Sequence, residues 1–511
     1  MPYYINILLN YALVALAGLL VTFLSVPLVI RLSNRYGILD LPGDRRIHAA
    51  LMPRAGGLAL AFGTHFACLL AICAGLFPGP SEINLLWWGK FFLGSLIILA
   101  VGIIDDIVEL RPLQKLSGQI VVAILMFLLN IKFGLLFGFE LPGLLDLLLS
   151  VSWFLFLINA INFIDGIDGL ATGIASIAAL GILGTLLYRD LLGPALALTG
   201  FIGACVGFLY FNRFPAKIFL GDCGSNFIGF FLALLTLQTG SKGSAFTYLW
   251  VPVLALSVPI IDLTLAVWRR AVRKGLNFMH KTHCNSGIMI GDLEHLHHRL
   301  MRLKLSQREV VSLLCLINSF FVLIGLIGLP FQERAWGFVI IAIIVTLYVL
   351  VIFIPVQEFR DSITFVLAIV SNRRSPWLAL LFFLVIDIIS LQFALFFSIR
   401  LSHVDFSFET CLSIMRERSC GWTISSLCII AVLGFYKPIV PLSFSKCKNY
   451  LAVALIPLVF FISGCVDLFT KQKPATITIH LLLFATLGFV CILTTRIILF
   501  SLEKIAARQL G

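Results

Sequence analysis

Long uninterrupted apolar stretches alternate with short polar ones along the whole chain. They fall near residues 6–30, 57–77, 87–107, 116–137, 144–162, 170–188, 194–212, 224–240, 246–268, 309–329 and 336–355, and again near 377–400, 421–436, 449–469 and 478–500. Each is long enough to cross a hydrocarbon core of about 30 Å. The stretches are continuous rather than alternating, and backbone groups in lipid must satisfy their own hydrogen bonds, so the pattern predicts helices and not a barrel. The expected fold is all-α: a polytopic integral membrane bundle of about 15 transmembrane helices, roughly 11 in a core and 4 at the C-terminal end.

The polar segments divide by charge. If the N-terminus lies outside, the inside loops are "RLSNRYGILDLPGDRRIHAALMPR", "DIVELRPLQK", "NFIDGIDG", "NRFPAKIFLGDCGS" and "RRAVRKGLNFMHKTHCNSGIMIGDLEHLHHRLMRLKLSQR". The outside loops, such as "PGPSEINLL" and "GSKGSAF", are short and nearly uncharged. Positive-inside bias favours this orientation. The first basic residue, Arg31, follows the first span, which argues against a cleaved signal peptide. Basic residues return near Arg373 and Arg374. The expected domains are a membrane-embedded unit over 1–355, a linker over 356–376 and a four-helix accessory unit over 377–511.

Composition agrees. The 511 residues are 60% hydrophobic and 12% charged, with a mean hydropathy of +1.05, whereas a soluble domain is about a quarter charged. A net charge of +12 would suggest a nucleic-acid partner in a soluble protein, but the inside loops account for it and no nucleic acid is expected. The twelve cysteines are scattered without CxxC or metal-type spacing and read as small apolar residues.

Acidic residues change the picture more. "VGIIDDIVELRP" carries Asp105, Asp106 and Glu109; "NAINFIDGIDGLATG" carries Asn159, Asn162, Asp165 and Asp168; "KIFLGDCGSNFIGF" carries Asp222. A carboxylate facing lipid costs about 3 kcal/mol. Each aspartate alone reads as an interfacial helix cap. Together, on one side of a membrane, they would repel unless a divalent cation or basic substrate neutralised them. An oxygen-only donor set points to Mg²⁺ or Mn²⁺. Gly221 and Gly224 let backbone approach a ligand, and free amides at the start of the helix after Asp222 would suit a phosphate.

Two basic stretches complete the inventory. "GDLEHLHHRLMRLK" holds His295, His297, His298 and Arg299, read either as a basic helix on lipid headgroups or as donors to phosphate or sugar oxygens; neighbours at i, i+2 and i+3 do not share one face as a zinc site needs. "GDRRIHAALMPRAGG" offers Arg45, Arg46, His48 and Arg54, for which plain anchoring and anion binding stand side by side. Lys115 lies one short loop from the paired aspartates, where it could hold a lipid phosphate.

In order along residues 1 to about 355, "RRIHAALMPRAGG", "DDIVELRPLQK", "NAINFIDGIDGLA", "NRFPAKIFLGDCGS" and "EHLHHRL" resemble the polyprenyl-phosphate N-acetylhexosamine-1-phosphate transferases, glycosyltransferase family 4, the superfamily of phospho-N-acetylmuramoyl-pentapeptide transferase. The resemblance implies transfer of a sugar 1-phosphate from a UDP-N-acetyl sugar to undecaprenyl phosphate, releasing UMP, with Mg²⁺ (or Mn²⁺) as cofactor. It implies a bacterial inner membrane location, a cytoplasmic-face site, and membrane lipids, a homodimer or other glycan-assembly enzymes as partners. By position it makes Asp222 and Asn162 metal-binding. Asn159, Asp165, Asp168, Asn212, Phe219, Arg45, His48 and Arg54 become substrate-binding, with Phe219 stacking on uracil and Gly166 and Gly169 leaving room for the nucleotide. Asp105, Asp106, Lys115, His295, His297, His298 and Arg299 become catalytic, one of the paired aspartates acting as base. The "EHLHHRL" form, with Leu296 inside the histidine triplet, is similar to the branch acting on UDP-GlcNAc and related sugars, in lipid-linked glycan initiation; the muramoyl-pentapeptide branch is the alternative. The segment "NFMHKTHCNSGIMIGD" is longer than that family's usual stretch, which bears on sugar preference. The C-terminal spans briefly resemble the membrane half of nucleotide-sugar dehydratases or epimerases, without GxGxxG and therefore without that activity. Outside the transferase class, a secondary transporter or an inactive scaffold would also use many spans, but a transporter would place its acids near span centres.

Overall fold

A computed structural model describes residues 2–40, 51–76, 83–136, 139–240, 246–280 and 295–329, with the isolated positions 385 and 388. The helices are α1 (Pro2–Tyr36), α2 (Gly56–Cys73), α3 (Leu85–Val108), α4 (Pro112–Leu128), α5 (Gly143–Ile164), α6 (Leu170–Tyr188), α7 (Leu192–Asn212), α8 (Gly221–Gly240), α9 (Phe246–Ala255), α10 (Ser257–His280), α11 (Leu296–Arg302) and α12 (Gln307–Gly328). Two antiparallel pairs of very short strands join them, β1 (Leu39–Asp40) with β2 (Met52–Pro53), and β3 (Leu135–Leu136) with β4 (Phe139–Glu140). Seven described helices, α1, α2, α3, α5, α6, α7 and α12, are long and apolar enough to cross a membrane, and α4 and α8 are shorter apolar helices. The chain is a multi-pass helical membrane protein. The expected span 336–355, the linker and the four C-terminal spans lie outside the described residues.

The termini carry local signals. Asn84 caps α3 by accepting the Trp87 N–H at 2.9 Å, and α12 begins with a reciprocal Ser306–Glu309 capping box. On α1, Leu9, Leu13, Leu16, Leu20 and Leu24 are exposed, the face such a helix offers to lipid. In contrast, Phe227, Ile228, Phe230, Phe231, Leu232, Leu234 and Leu235 of α8 are wholly buried. α8 is thus a central helix, packed by α2, α3 and α5, while α1 packs on α7 and α2, and α12 on α6 and α9.

Two expected spans come out differently. The stretch 116–137 is helical only to Leu128 and then turns into the β3–β4 pair. Buried Asp146 holds that turn, accepting the Gly134 N–H at 3.1 Å and pairing with Lys132 at 3.4 Å. The stretch 246–268 is interrupted at Leu256, and its second helix runs on to His280. The cause is Pro259, which has no N–H for the carbonyl four residues back at Ala255. Asn318 of α12 supplies the donor instead, Nδ2 to the Ala255 carbonyl at 3.0 Å.

Contacts along the chain divide it into two compact units, Met1–Trp268 with Met289–Phe353, and Arg269–Ile288 with Ile354–Gly511. Every residue of the site described next belongs to the first unit.

Candidate active site

The site is organised around the first turn of α8, reached by an unusually close approach of neighbouring backbones. A Cβ on Gly57 would lie 2.1 Å from the Gly224 Cα, and one on Gly102 would lie 2.3 Å from the Cys223 Cα. Only glycine lets α2 and α3 come so near α8. The Gly56 and Gly57 N–H groups then bond the Phe219 and Leu220 carbonyls at 3.1 and 2.9 Å. Gly221 itself has φ +76°, a left-handed turn suited to glycine. These constraints deliver Arg54, Asp106 and Asp222 to one point.

Asp106 caps α8. Its two oxygens accept the Asp222 and Cys223 N–H groups at 2.8 and 3.0 Å, and Arg54 Nε lies 3.1 Å away. This corrects the expectation of free amides awaiting a phosphate, because a carboxylate from α3 already satisfies them. Arg54 is a hub: its guanidinium pairs with Asp222 at 3.0 Å and with Asp40 of β1 at 3.4 Å. Burial opposes its charge, but Asp222, Asp106 and Asp40 overcome that and hold its pKa above the usual arginine value.

Lys115 of α4 occupies the other side. Its ammonium bonds Asp222 Oδ1, Asp105 Oδ2 at 2.8 Å and Asn162 Oδ1 at 3.2 Å. Asn162 also donates to Asp222 Oδ1 at 2.6 Å and to the Ser225 hydroxyl at 2.8 Å. Three helices thus present oxygens to one cationic group. The adjacent aspartates diverge: Asp106 has a side chain with no exposure, while that of Asp105 is 9% exposed. Asp105 faces Lys115 and takes the Leu110 N–H at 2.9 Å.

Would this set suit a divalent cation? Asp40, Asp105, Asp106, Asp165 and Asp222 meet two cations, Arg54 and Lys115, within a shared electrostatic neighbourhood, so negative charge is in excess. Among the described residues no group of three His, Cys, Asp or Glu side chains is placed to hold a metal. The donors gathered at the cluster are carboxylate and amide oxygens, the hard ligands that Mg²⁺ takes alongside waters and substrate phosphates.

The turn between α5 and α6 links this cluster to the histidines. Asp165 ends α5, and its carboxyl is pushed up to about 8, first by burial and then by the charge of Asp222. The next residue, Gly166, was expected to leave room for a nucleotide. Instead, a Cβ there would lie 2.2 Å from His297 Nε2, so the glycine makes room for an imidazole. His295 stacks on Phe163 with centroids 5.3 Å apart, and His297 lies nearly parallel to His295 at 5.9 Å. His298 packs on His297 at 4.3 Å. Both ring nitrogens of buried His297 lack a hydrogen-bond partner among the described residues, and burial with the neighbouring His298 pushes its pKa down to about 3. Arg299 stands in the last turn of α11.

Other expected substrate contacts are engaged in holding the protein. Asp168 Oδ2 accepts the Ala216 N–H at 3.0 Å. Buried Asn212 donates to the Ile218 carbonyl at 3.0 Å and accepts from Thr172 at 3.2 Å. Both fasten the loop that carries Phe219, which is half-buried and whose N–H bonds the Pro53 carbonyl at 2.8 Å. Asn159 points away toward α4, donating to Gln119 at 2.8 Å, one turn behind Asn162. Arg45 and His48 lie outside the described residues. Sequence reasoning missed Asp40, hidden in a loop between basic residues, and Asp262 of α10, hidden in an apolar run. Asp262 accepts from His295 Nδ1 and from the Leu296 N–H, both at 2.9 Å.

Comparison with known proteins places this geometry. Residues 88–240, which include Asp105, Asp106, Lys115, Asn162, Asp165 and Asp222, match the model for glycosyl transferase family 4. Over 316 residues the chain is 30% identical to a probable undecaprenyl-phosphate N-acetylglucosaminyl 1-phosphate transferase of Bacillus subtilis, covering 60% of this chain and 81% of that protein. It is 31% identical over 386 residues to a decaprenyl-phosphate N-acetylglucosaminephosphotransferase of Mycobacterium leprae, 69% of this chain and 92% of that one. A putative phospho-N-acetylmuramoyl-pentapeptide-transferase of Methanothermobacter thermautotrophicus is 32% identical over 140 residues, 27% and 34% of the two chains. With the motif acids drawn together around α8, and relatives that align over most of their length, the chain belongs to glycosyl transferase family 4.

Proposed function

We propose that the protein transfers N-acetylglucosamine 1-phosphate, or a closely related N-acetylhexosamine 1-phosphate, from its UDP-sugar to undecaprenyl phosphate, with Mg²⁺, at the cytoplasmic face of a bacterial inner membrane. The observation that carries this reading is the meeting of Asp222, Asn162, Asp105, Lys115 and Arg54 at one helix end. Relatives with long alignments are named for N-acetylglucosamine 1-phosphate transfer, whereas the muramoyl-pentapeptide relative aligns over only 34% of its length.

In this reading a lipid phosphate oxygen attacks the β-phosphorus of the UDP-sugar, the bridging P–O bond breaks, and UMP leaves. The barrier lies mainly in bringing two anions together. Mg²⁺ held by Asp222 and Asn162 would supply charge for the diphosphate. Lys115, lifted from its carboxylates, and Arg54 supply donors for the phosphates. Asp105 is the better candidate base of the adjacent pair, because its side chain is partly exposed and faces Lys115, whereas that of Asp106 is fully buried and caps α8. The neutral His297 ring brings one N–H and one acceptor nitrogen that are unpartnered among the described residues; an unmet buried polar group costs about 1–3 kcal/mol, and a phosphate oxygen would accept from the first while a sugar hydroxyl would donate to the second.

A panel of UDP-N-acetyl sugars, each incubated with purified protein, undecaprenyl phosphate and Mg²⁺ and scored for lipid-linked product, tests the proposal. Product is expected with UDP-GlcNAc or a near relative. Product only from the UDP-muramoyl-pentapeptide would transfer the chain to the other branch.

A further inference from the structure

We propose that Asp262 is a positioning residue that fixes both the ring orientation and the tautomer of His295, so that Nδ1 carries the proton and Nε2 is turned to the reaction. The inference rests on the transferase reading for its kinetic consequence, though not for its structural one.

Asp262 is 1% exposed and lies in "SVPIIDLTLAV", where every near neighbour along α10 is apolar or a hydroxyl. A carboxylate in such a place is costly unless bonded. It has two bonds. Oδ2 faces His295 Nδ1 at 2.9 Å and Oδ1 accepts the Leu296 N–H at 2.9 Å. An ionised carboxylate can only accept, so the imidazole must donate from Nδ1, and in the neutral ring Nε2 is left as the acceptor. His295 is the residue that opens α11, with extended backbone. Asp262 therefore grips it from two directions, through its ring and through the next backbone amide.

That grip is passed on. His295 is stacked on Phe163 of α5, within the motif that supplies Asn162 and Asp165. His297 lies parallel to it and rests against Gly166. One buried carboxylate thus sets the height and tilt of the histidine rings against the α5–α6 turn. A purely structural helix cap would need only the Leu296 bond.

Asp262→Asn separates the two roles. Asparagine can keep its oxygen on the Leu296 N–H, but it then presents an NH₂ to the ring, which must move its proton to Nε2. The ¹⁵N spectrum of histidine-labelled protein at pH 8, with the His295 signal identified by its loss in His295→Gln, reads the tautomer directly. A protonated Nδ1 is expected in the wild type and a protonated Nε2 in Asp262→Asn, with Asp262→Glu returning the wild-type pattern. Turnover in Asp262→Asn should fall about 10- to 100-fold, as for lost partners of positioned histidines, at little change in KM for the UDP-sugar. An unprotonated Nδ1 in the wild type overturns the proposal even if the variants fail to fold. So does wild-type turnover or an unchanged nitrogen pattern in folded Asp262→Asn. Absence of transfer by the wild type would instead overturn the proposed function, and the nitrogen spectrum would still decide this point.

Discussion

Around the start of α8 the carboxylates are bonded on almost every side, by Lys115, Arg54, Asn162 and the helix amides. Across the α5–α6 turn, around α11, the situation is reversed: His295 is anchored by Asp262, but His297 holds two buried nitrogens with no partner among the described residues. One cluster is satisfied by the protein itself and carries excess negative charge, and the other is assembled but unsatisfied. A diphosphate held with a divalent cation would bring positive charge to the first and an acceptor for the single N–H of the neutral His297 ring to the second. The α5–α6 turn, with Asp165 on one side and Gly166 on the other, joins them.

The strongest way to break this comparison is to remove the shared acceptor. Asp222→Asn should lower turnover by about 10³-fold, the scale of losing a key electrostatic contact, while the protein still elutes as a folded species. Turnover near the wild-type value would remove Asp222 from the metal and phosphate assignment. On the unsatisfied side, His297→Ala should cost about 10- to 100-fold in kcat/KM, the equivalent of a hydrogen bond to a charged group. Its melting temperature should fall only modestly, because the ring nitrogens make no bond to lose and the cost is the cavity left against Gly166 and the neighbouring imidazoles. Unchanged kinetics in the folded variant would make His297 a packing residue.

Asp106 should behave in the opposite way. Asp106→Leu leaves the Asp222 and Cys223 amides without their acceptor and removes one of the three partners of Arg54, and a loss of about 1–3 kcal/mol is expected for each unmet buried group, seen as a lower melting temperature in detergent. The smallest effect concerns pH. Since the Asp165 carboxyl is pushed up to about 8, it is largely protonated below that pH, and a cation nearby must displace the proton. Ionisation grows as pH rises through about 8, so the Mg²⁺ concentration for half-maximal turnover should fall several-fold between pH 6.5 and 8.5. Asp165→Asn should flatten that dependence; an identical slope in the variant would show that another group is responsible.

Much of this was legible in the sequence, and the rest was hidden for identifiable reasons. Continuous apolar runs made the helical membrane class plain, and the gathering of Asp105, Asp165 and Asp222 with Lys115 beside them followed from treating intramembrane-edge acids as a set, whereas Arg54, readable as a plain membrane anchor, gave no sign that it would join them. Adjacent aspartates, however, share a sequence position but not a direction, so the capping role of Asp106 could not be read. Asp262 was masked by averaging, since one acid barely dents the hydropathy of a long apolar run. The interruption at Leu256 had a visible signal in Pro259, but its compensation by Asn318 depends on a contact between distant segments. Likewise Gly166 announced a close approach without saying that the neighbour would be His297 rather than a ligand.

The central claim is that the α8 cluster binds a UDP-sugar for attack by a lipid phosphate, and isotope exchange tests it most directly. Purified protein should exchange labelled UMP into UDP-GlcNAc or a related UDP-N-acetyl sugar only when undecaprenyl phosphate and Mg²⁺ are both present. Folded protein that exchanges UMP with no member of a panel of UDP-N-acetyl sugars under those conditions would contradict the claim.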